Sequence, residues 1–287
     1  MPSHRGGRRD GRGSPSTGLH QLQPRLSGRG YKPYLINGTD TFTGQDIALL
    51  TRIDPDSGAI ERTDQAGTSG GVSKAVSKNY FAKLTVDGRK IALIGLHFLA
   101  RPLDESRRLE REAQADAIRS LGLQLRGQGH QLVIWGDFND FDGASDSRDH
   151  IDSSPISNVL KMLREMSTAS TEDDLVNAAS FVPKASRFTS HFDQNGNNSV
   201  DPPNELTSID HILLSKELAE KVDVVQIPHN FNPVEVTDHF PIVVRIKLTQ
   251  TPTPQPTTGG IRITRLLPNP TGDETQNEQA TVKNIGT

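Results

Sequence analysis

An α+β fold with sheets stacked between outer helices, a four-layered α/β/β/α sandwich, is predicted by three observations on this 287-residue sequence. Short β-type apolar runs recur between residues 46 and 246, one stretch at residues 104–126 has helical spacing, and the run Leu132-Val133-Ile134-Trp135 is apolar throughout. A strand without polar alternation needs cover on both faces, so strands of this kind interleaved with helices call for stacked layers. The length allows one main domain with a substantial interior plus an appendage.

The elements follow in order. Residues 1–30 carry Arg5, Arg8, Arg9, Arg12, Arg25 and Arg29 against the single acid Asp10, with almost nothing apolar before Leu19. Residues 1–18 therefore read as a disordered basic tail, solvated or lying upstream of the true domain start, rather than as a nucleic-acid-binding arm. The main domain is assigned to residues 19–249. Asp46–Ile53, Tyr80–Val86 and Lys90–His97 are strand-like, and Asp87-Gly88 supplies a two-residue hairpin turn between the last two. Leu109, Ala113, Ala117 and Leu121, widened by Ile118, form a helical stripe that starts after the N-cap candidate Asp104. On this helix Arg107, Arg108 and Arg111 alternate with Glu105, Glu110 and Glu112, the pattern of a salt-bridged solvent face. A second short helix is expected over Ser154–Met166, and strands over Ile209–Leu214, Val222–Ile227 and Phe240–Ile246. Residues 250–259, rich in Pro and Thr, form a stiff linker, and residues 260–287 read as two strands and a turn, too few to bury a core alone.

Composition removes several function classes. The chain has no cysteine, so disulfides and thiolate zinc sites are excluded and any metal must be held by oxygen or imidazole. A net charge of -3 argues against a protein that coats nucleic acid through bulk positive charge. No apolar run approaches the ~18 residues of a membrane span, and the first residues contain no segment like that of a secretory signal. No obligate protein partner is evident.

Four polar motifs at the ends of apolar runs carry the chemistry: Gly95-Leu96-His97, Gly136-Asp137-Phe138-Asn139, Ser208-Ile209-Asp210-His211 and Thr237-Asp238-His239-Phe240-Pro241. Together they offer donors, acceptors and oxygen ligands of the kind metal-assisted phosphoester cleavage requires. Asp137 and Asn139 follow a buried strand and, by alternation, should share a side, presenting a carboxylate and an amide to one ligand. Asp210 lies in an apolar strand, where an unpaired carboxylate is costly, so a partner is required and His239 is the natural one. His211 points to the other side of its strand and reads as structural. Asp193-Gln194-Asn195-Gly196-Asn197 is similar to a calcium loop, but its Gly comes too early for the EF-hand spacing, which favours a flexible loop.

Across residues 31–248 these motifs, in this order, resemble the endonuclease/exonuclease/phosphatase superfamily with the deoxyribonuclease I-like fold. The resemblance implies a metal-dependent phosphodiester hydrolase, foremost an extracellular-type DNA or RNA endonuclease using Mg²⁺, Mn²⁺ or Ca²⁺ on a nucleic acid substrate. It also implies roles: His97 binding or protonating the scissile phosphate, Asp137 activating water, Asn139 stabilising charge on phosphorus, Asp210 pairing with the imidazolium of His239, and Asp238 with Asp137 as metal ligands. A phosphatase or a sphingomyelinase-like phosphoesterase would use the same residues. Residues 260–287 resemble the start of a lamin-tail-like domain, which often accompanies secreted nucleases of this kind. The family's early strands should end in an Asn and a metal-binding Glu, and here Asn37 and Glu61 fit neither position. The expectation is a chain that lacks those first strands, with an inactive remnant as the further alternative.

Overall fold

The computed structural model describes residues 28–145, 154–193, 195–197, 199, 201, 205–231 and 237–248, and the backbone of 261–267 and 279–284. The basic tail and the Pro/Thr linker lie outside the described residues. The chain divides into two units, residues 1–248 and 249–287.

The first unit begins with the antiparallel pair β1 (Lys32–Leu35) and β2 (Ala48–Thr51), followed by the hairpin β3 (Ala66–Ser69) and β4 (Val72–Ala75). The long strands β5 (Lys78–Val86) and β6 (Arg89–His97) come next, joined at Asp87-Gly88, with both turn residues at positive φ as a tight hairpin demands. Helix α1 (Glu105–Gly127) carries the chain to β7 (Gln131–Asp137). After α2 (Val159–Arg164) follow β8 (Leu175–Asn177), β9 (Ser190–His191), β10 (Leu206–Thr207) and β11 (Asp210–Ser215). The short α3 (Lys216–Ala219) and the pair β12 (Val222–Gln226) and β13 (Val243–Ile246) finish the unit. In the second unit β14 (Ile261–Leu267) and β15 (Gln279–Asn284) pair antiparallel, the two strands expected there.

The centre is a five-stranded mixed sheet in the order β5-β6-β7-β11-β8, with β6 and β7 parallel and the other pairs antiparallel. One face packs Ala92, Ile94, Leu96, Leu132, Ile134 and Leu213 against α1 and α2 through Ile118, Leu121, Leu125, Leu160 and Leu163. The other face is covered in two patches. Tyr80 and Ala82 meet Leu49 and Tyr34 of the β1–β2 pair, while Ile91 and Leu214 meet Val222, Val244 and Ile246 of the β12–β13 pair. The α+β class holds, and the second sheet of the expected sandwich is represented by these two pairs. Among the described residues α1 is the only helix longer than six residues.

Helix α1 starts where its cap was expected, with Asp104 Oδ1 accepting from the Ser106 N–H at 3.0 Å. Its charged face is not the solvated one that the alternation suggested. Arg111 is fully buried, 3.3 Å from Asp140, and donates to the carbonyls of Arg101 and Pro102. Glu112 is also buried and accepts from Ser69 and the Asn158 N–H. Over Glu112 the cover is the β3–β4 hairpin, which lies so close that a Cβ at Gly67 would collide with the backbone at Ala113 and Ala117, whereas Arg111 is closed in by the loops after β6 and β7 that supply Arg101, Pro102 and Asp140. The second short helix is confined to Val159–Arg164, and the final strand begins at Val243 rather than Phe240.

Candidate active site

Register assembles the site. Lys78 on β5 is paired with His97 on β6, His97 with Asp137 on β7, and Asp137 with Asp210 on β11, so four charged or polar side chains form one row across four adjacent strands. Three of the four had been expected from sequence. Lys78 had not, because its polar neighbourhood carries no local signal and only the hairpin register brings it opposite His97.

The row is fastened at its rim. Gly136, at φ 138°, leaves no room for a Cβ against the Leu96 carbonyl, so glycine lets β7 close on β6 just before Asp137. Asn139 adopts the left-handed region at φ 47°, which turns the chain away from the sheet. The strand has ended by then, so alternation does not bring Asn139 beside Asp137; the turn does. Its backbone N–H donates to Asp137 Oδ1 at 2.8 Å, and its amide donates to Asp137 Oδ2 at 3.0 Å and to the Phe98 carbonyl at 3.1 Å. In this arrangement the amide orients the carboxylate, and both its N–H groups are engaged.

His239 reaches the row from the segment before β13. Its Nδ1 donates to Asp210 Oδ2 at 2.8 Å, its backbone N–H donates to Thr237 Oγ1, and it bridges to Ser190. Thr189 supports the same corner, its Oγ1 accepting from the backbone N–H groups of Ile209 and Asp210. Thr189 and Ser190 were missed in the sequence because a Thr-Ser pair in a loop is ordinary. His97 Nε2 lies 3.5 Å from Asp137 Oδ2. Asp238 is set apart: its side chain is 78 % exposed, with Oδ1 3.8 Å from His239 Nε2. His211 is structural, as expected; it is buried, with Nε2 against the Asp140 carbonyl and Nδ1 against Asn177.

The electrostatics divide the row by role. Burial pushes Asp137 up to about 7, and the neighbouring Asp210 charge adds to that. Burial and the nearby cations Lys78 and His239 bring His97 down to about 4, so its imidazole is neutral at neutral pH. Burial opposes the charge on His239, but its hydrogen bond to Asp210 and the charges of Asp210, Asp137 and Asp238 outweigh it and raise the imidazole to about 9. His239 is therefore an imidazolium.

Asp137, Asp210 and His239 offer ligand atoms within 4.8 Å of one another. The nitrogen of His239 carries a proton shared with Asp210, which leaves carboxylate oxygens as the donor set. Two adjacent carboxylates, one with its pKa raised by burial and by the charge of the other, fit a hard divalent cation that prefers oxygen and keeps several waters. Among the described residues no glutamate joins the cluster: Glu61 pairs with Phe81 in the sheet and lies 3.4 Å from Lys83, and the Asn37 carbonyl accepts from Arg62. No helix of the described residues is long and apolar enough to cross a membrane.

No protein-family model and no curated protein matches the sequence. Solved structures do. An endonuclease/exonuclease/phosphatase family protein from Leptotrichia buccalis C-1013-b superposes with a TM-score of 0.54 at 18% identity, covering 80% of this chain and 77% of that one. The 3' phosphatase NExo from Neisseria, bound to a product DNA hairpin, gives 0.49 at 17% identity over 78% and 82% of the two chains. An AP endonuclease from Archaeoglobus fulgidus gives 0.49 at 13% identity over 79% and 83%. With the central mixed sheet and the first of these superpositions together, the fold of this chain is that of an endonuclease/exonuclease/phosphatase family protein.

Proposed function

We propose that this chain is a divalent-metal-dependent phosphodiester hydrolase of the endonuclease/exonuclease/phosphatase family, acting on nucleic acid. The observation that carries the reading is the in-register row His97–Asp137–Asp210, closed by the 2.8 Å pair between Asp210 and His239. Asp137 and Asp210 are the carboxylates that would hold the cation, with Asp238 near the rim. When bound, the cation neutralises phosphate charge and acidifies water. Asp137 would accept the proton of the attacking water, which the cation makes more acidic. His239 directs its Nε2–H at a phosphoryl oxygen, and Asp210 holds the ring in that orientation and keeps it charged. The neutral imidazole of His97 hydrogen-bonds a second phosphoryl oxygen from the opposite side of Asp137.

The test is incubation of the full chain with plasmid DNA, RNA and sphingomyelin in Mg²⁺ or Mn²⁺, with and without chelator. Cleavage of nucleic acid that chelation stops is the expected result. Cleavage of sphingomyelin alone, or no turnover of any substrate, overturns the proposal.

A further inference from the structure

The proposed hydrolase site is flanked by two exposed aromatic rings that its chemistry does not use. Phe42 is 96% exposed and Phe192 is 73% exposed, the two most exposed large apolar side chains among the described residues. Isolated apolar residues on a surface are ordinary. These two differ because Phe42 shares a cavity with His97 and Phe192 follows the residue whose backbone pairs with Asp238, at opposite ends of the proposed catalytic row.

Phe42 lines a cavity of about 580 Å³ whose wall includes His97. It is presented by an anchored turn: its N–H donates to Asp40 Oδ1 at 3.0 Å, and Asp40 is ion-paired at 3.0 Å with the buried Lys78, the register partner of His97. Phe192 lies at the other end. The residue before it, His191, donates its N–H to the carbonyl of Asp238 at 2.9 Å, next to His239, and the N–H of Phe192 itself is bound to Glu205 O at 2.8 Å. Both rings thus stand on fixed backbone, one beyond His97 and one beyond His239.

On the reading of the row as a phosphodiester-cleaving site, we infer that its substrate is single-stranded nucleic acid, with a base stacked on Phe42 on one side of the scissile phosphate and a base stacked on Phe192 on the other. A chain of net charge -3 has no overall excess of positive charge with which to hold a duplex by its phosphates. Stacking on aromatic rings supplies binding without such an excess, and it demands bases whose faces are free. In a duplex those faces are occupied by neighbouring bases, and freeing two of them costs unstacking and unpairing. Two rings on either side of the cleavage point also require nucleotides on both sides, which makes the cut internal. A lipid surface would call for a contiguous apolar patch. Around Phe42 the apolar part of the wall, Phe98, Leu99 and Ala100, is interrupted by Asp40, Thr41, Thr43, Lys74 and Arg107.

The experiment measures binding of a fluorescein-labelled single-stranded oligonucleotide to the full chain by anisotropy in EDTA, so that turnover plays no part. Phe42→Ala and Phe192→Ala should each weaken binding about tenfold, the worth of one stacked base, and Phe42→Trp and Phe192→Trp should restore it. The same sequence as a blunt duplex should bind more weakly and respond less to either alanine substitution. Equal affinity of both alanine variants and the parent for the single strand, or duplex binding that is as tight and as ring-dependent, overturns the inference. Sedimentation with sphingomyelin vesicles that depends on Phe42 overturns it in favour of a membrane surface. Failure of the hydrolase reading is separable: ring-dependent binding of single strands with no cleavage of bis(4-nitrophenyl) phosphate in Mg²⁺ or Mn²⁺ leaves the binding surface and removes the hydrolysis. Metal-dependent cleavage of that diester with ring-independent binding does the reverse.

Discussion

A buried acid and a partly buried one, five residues apart, teach what separates the proposed site from the frame that supports it. Asp142 is 1 % exposed, and burial alone would raise its pKa, yet Asn177, Ser145 and Arg164 surround it closely enough to hold it below the usual carboxylate range. Its oxygens accept from Asn177 at 2.9 Å, Ser145 at 2.7 Å and Arg164 at 3.1 Å. Asp137 has two hydrogen bonds from Asn139, but burial and the charge of Asp210 outweigh them and the nearby His239, and its carboxyl is pushed up to about 7. The residue types are the same; only the neighbours differ. Asp210 and His211 make the division visible within a single strand, since alternation sends the first into the proposed catalytic row and the second into the network of Asn177 and Asp140. A carboxylate left short of partners is costly to fold and ready to bind a cation or take a proton, which is the usual compromise between stability and activity.

The largest expected effect is on turnover. His239→Ala removes the charged donor and should lower kcat on single-stranded nucleic acid by roughly 10³-fold, the scale of a lost proton-transfer or oxyanion-type donor, with the far-ultraviolet circular dichroism unchanged. Next comes Asp142→Ala, which leaves Arg164 and Asn177 facing a buried gap and should cost about 3–5 kcal/mol in urea unfolding. A loss of activity without a loss of stability in this variant would erase the contrast between frame and site.

Asp137→Asn should behave in the opposite way, abolishing cleavage while stabilising the metal-free protein. Because the folded carboxyl titrates near 7 and the unfolded one near 3.8, the native state holds an extra proton between those values. Stability associated with that proton is complete below about pH 4 and is lost as pH rises through 7. At pH 8 the neutral amide escapes the cost, so the variant should be more stable by on the order of 2 kcal/mol in EDTA. At pH 4 the difference should vanish. Urea midpoints at the two pH values measure it.

Much of this contrast was legible before any coordinates. The strand-end motifs with His97, Asp137 and Asp210 were readable because a polar residue closing an apolar run stands out locally, and the demand of Asp210 for a partner followed from burial cost alone. The cap of α1 was readable for the same local reason. Lys78, Asp40 and Thr189 were not, since their contribution exists only through strand register and loop packing across many residues. Arg111 and Glu112 were misread because their alternation with other charges is identical to that of a solvated helix face. What buries Glu112 is the close β3–β4 hairpin, and what buries Arg111 is the pair of loops carrying Arg101, Pro102 and Asp140; where a hairpin or a loop lands is a tertiary fact.

The smallest effect concerns the cation itself and sharpens the comparison most directly. If Asp137 and Asp210 hold it, binding must displace the proton that Asp137 carries below about pH 7. Mg²⁺ affinity should then fall about tenfold for each pH unit below 7 and level off above it, with one proton released per ion. Calorimetry at pH 6 in two buffers of different ionisation enthalpy counts that proton. Asp137→Asn has no such proton, so it should bind Mg²⁺ weakly at every pH and release none. Asp142, already ionised and paired with Arg164, contributes nothing to the pH slope. An affinity that is flat from pH 6 to pH 8 in the parent would mean that the cation does not touch the acid whose shortage of partners defines the site.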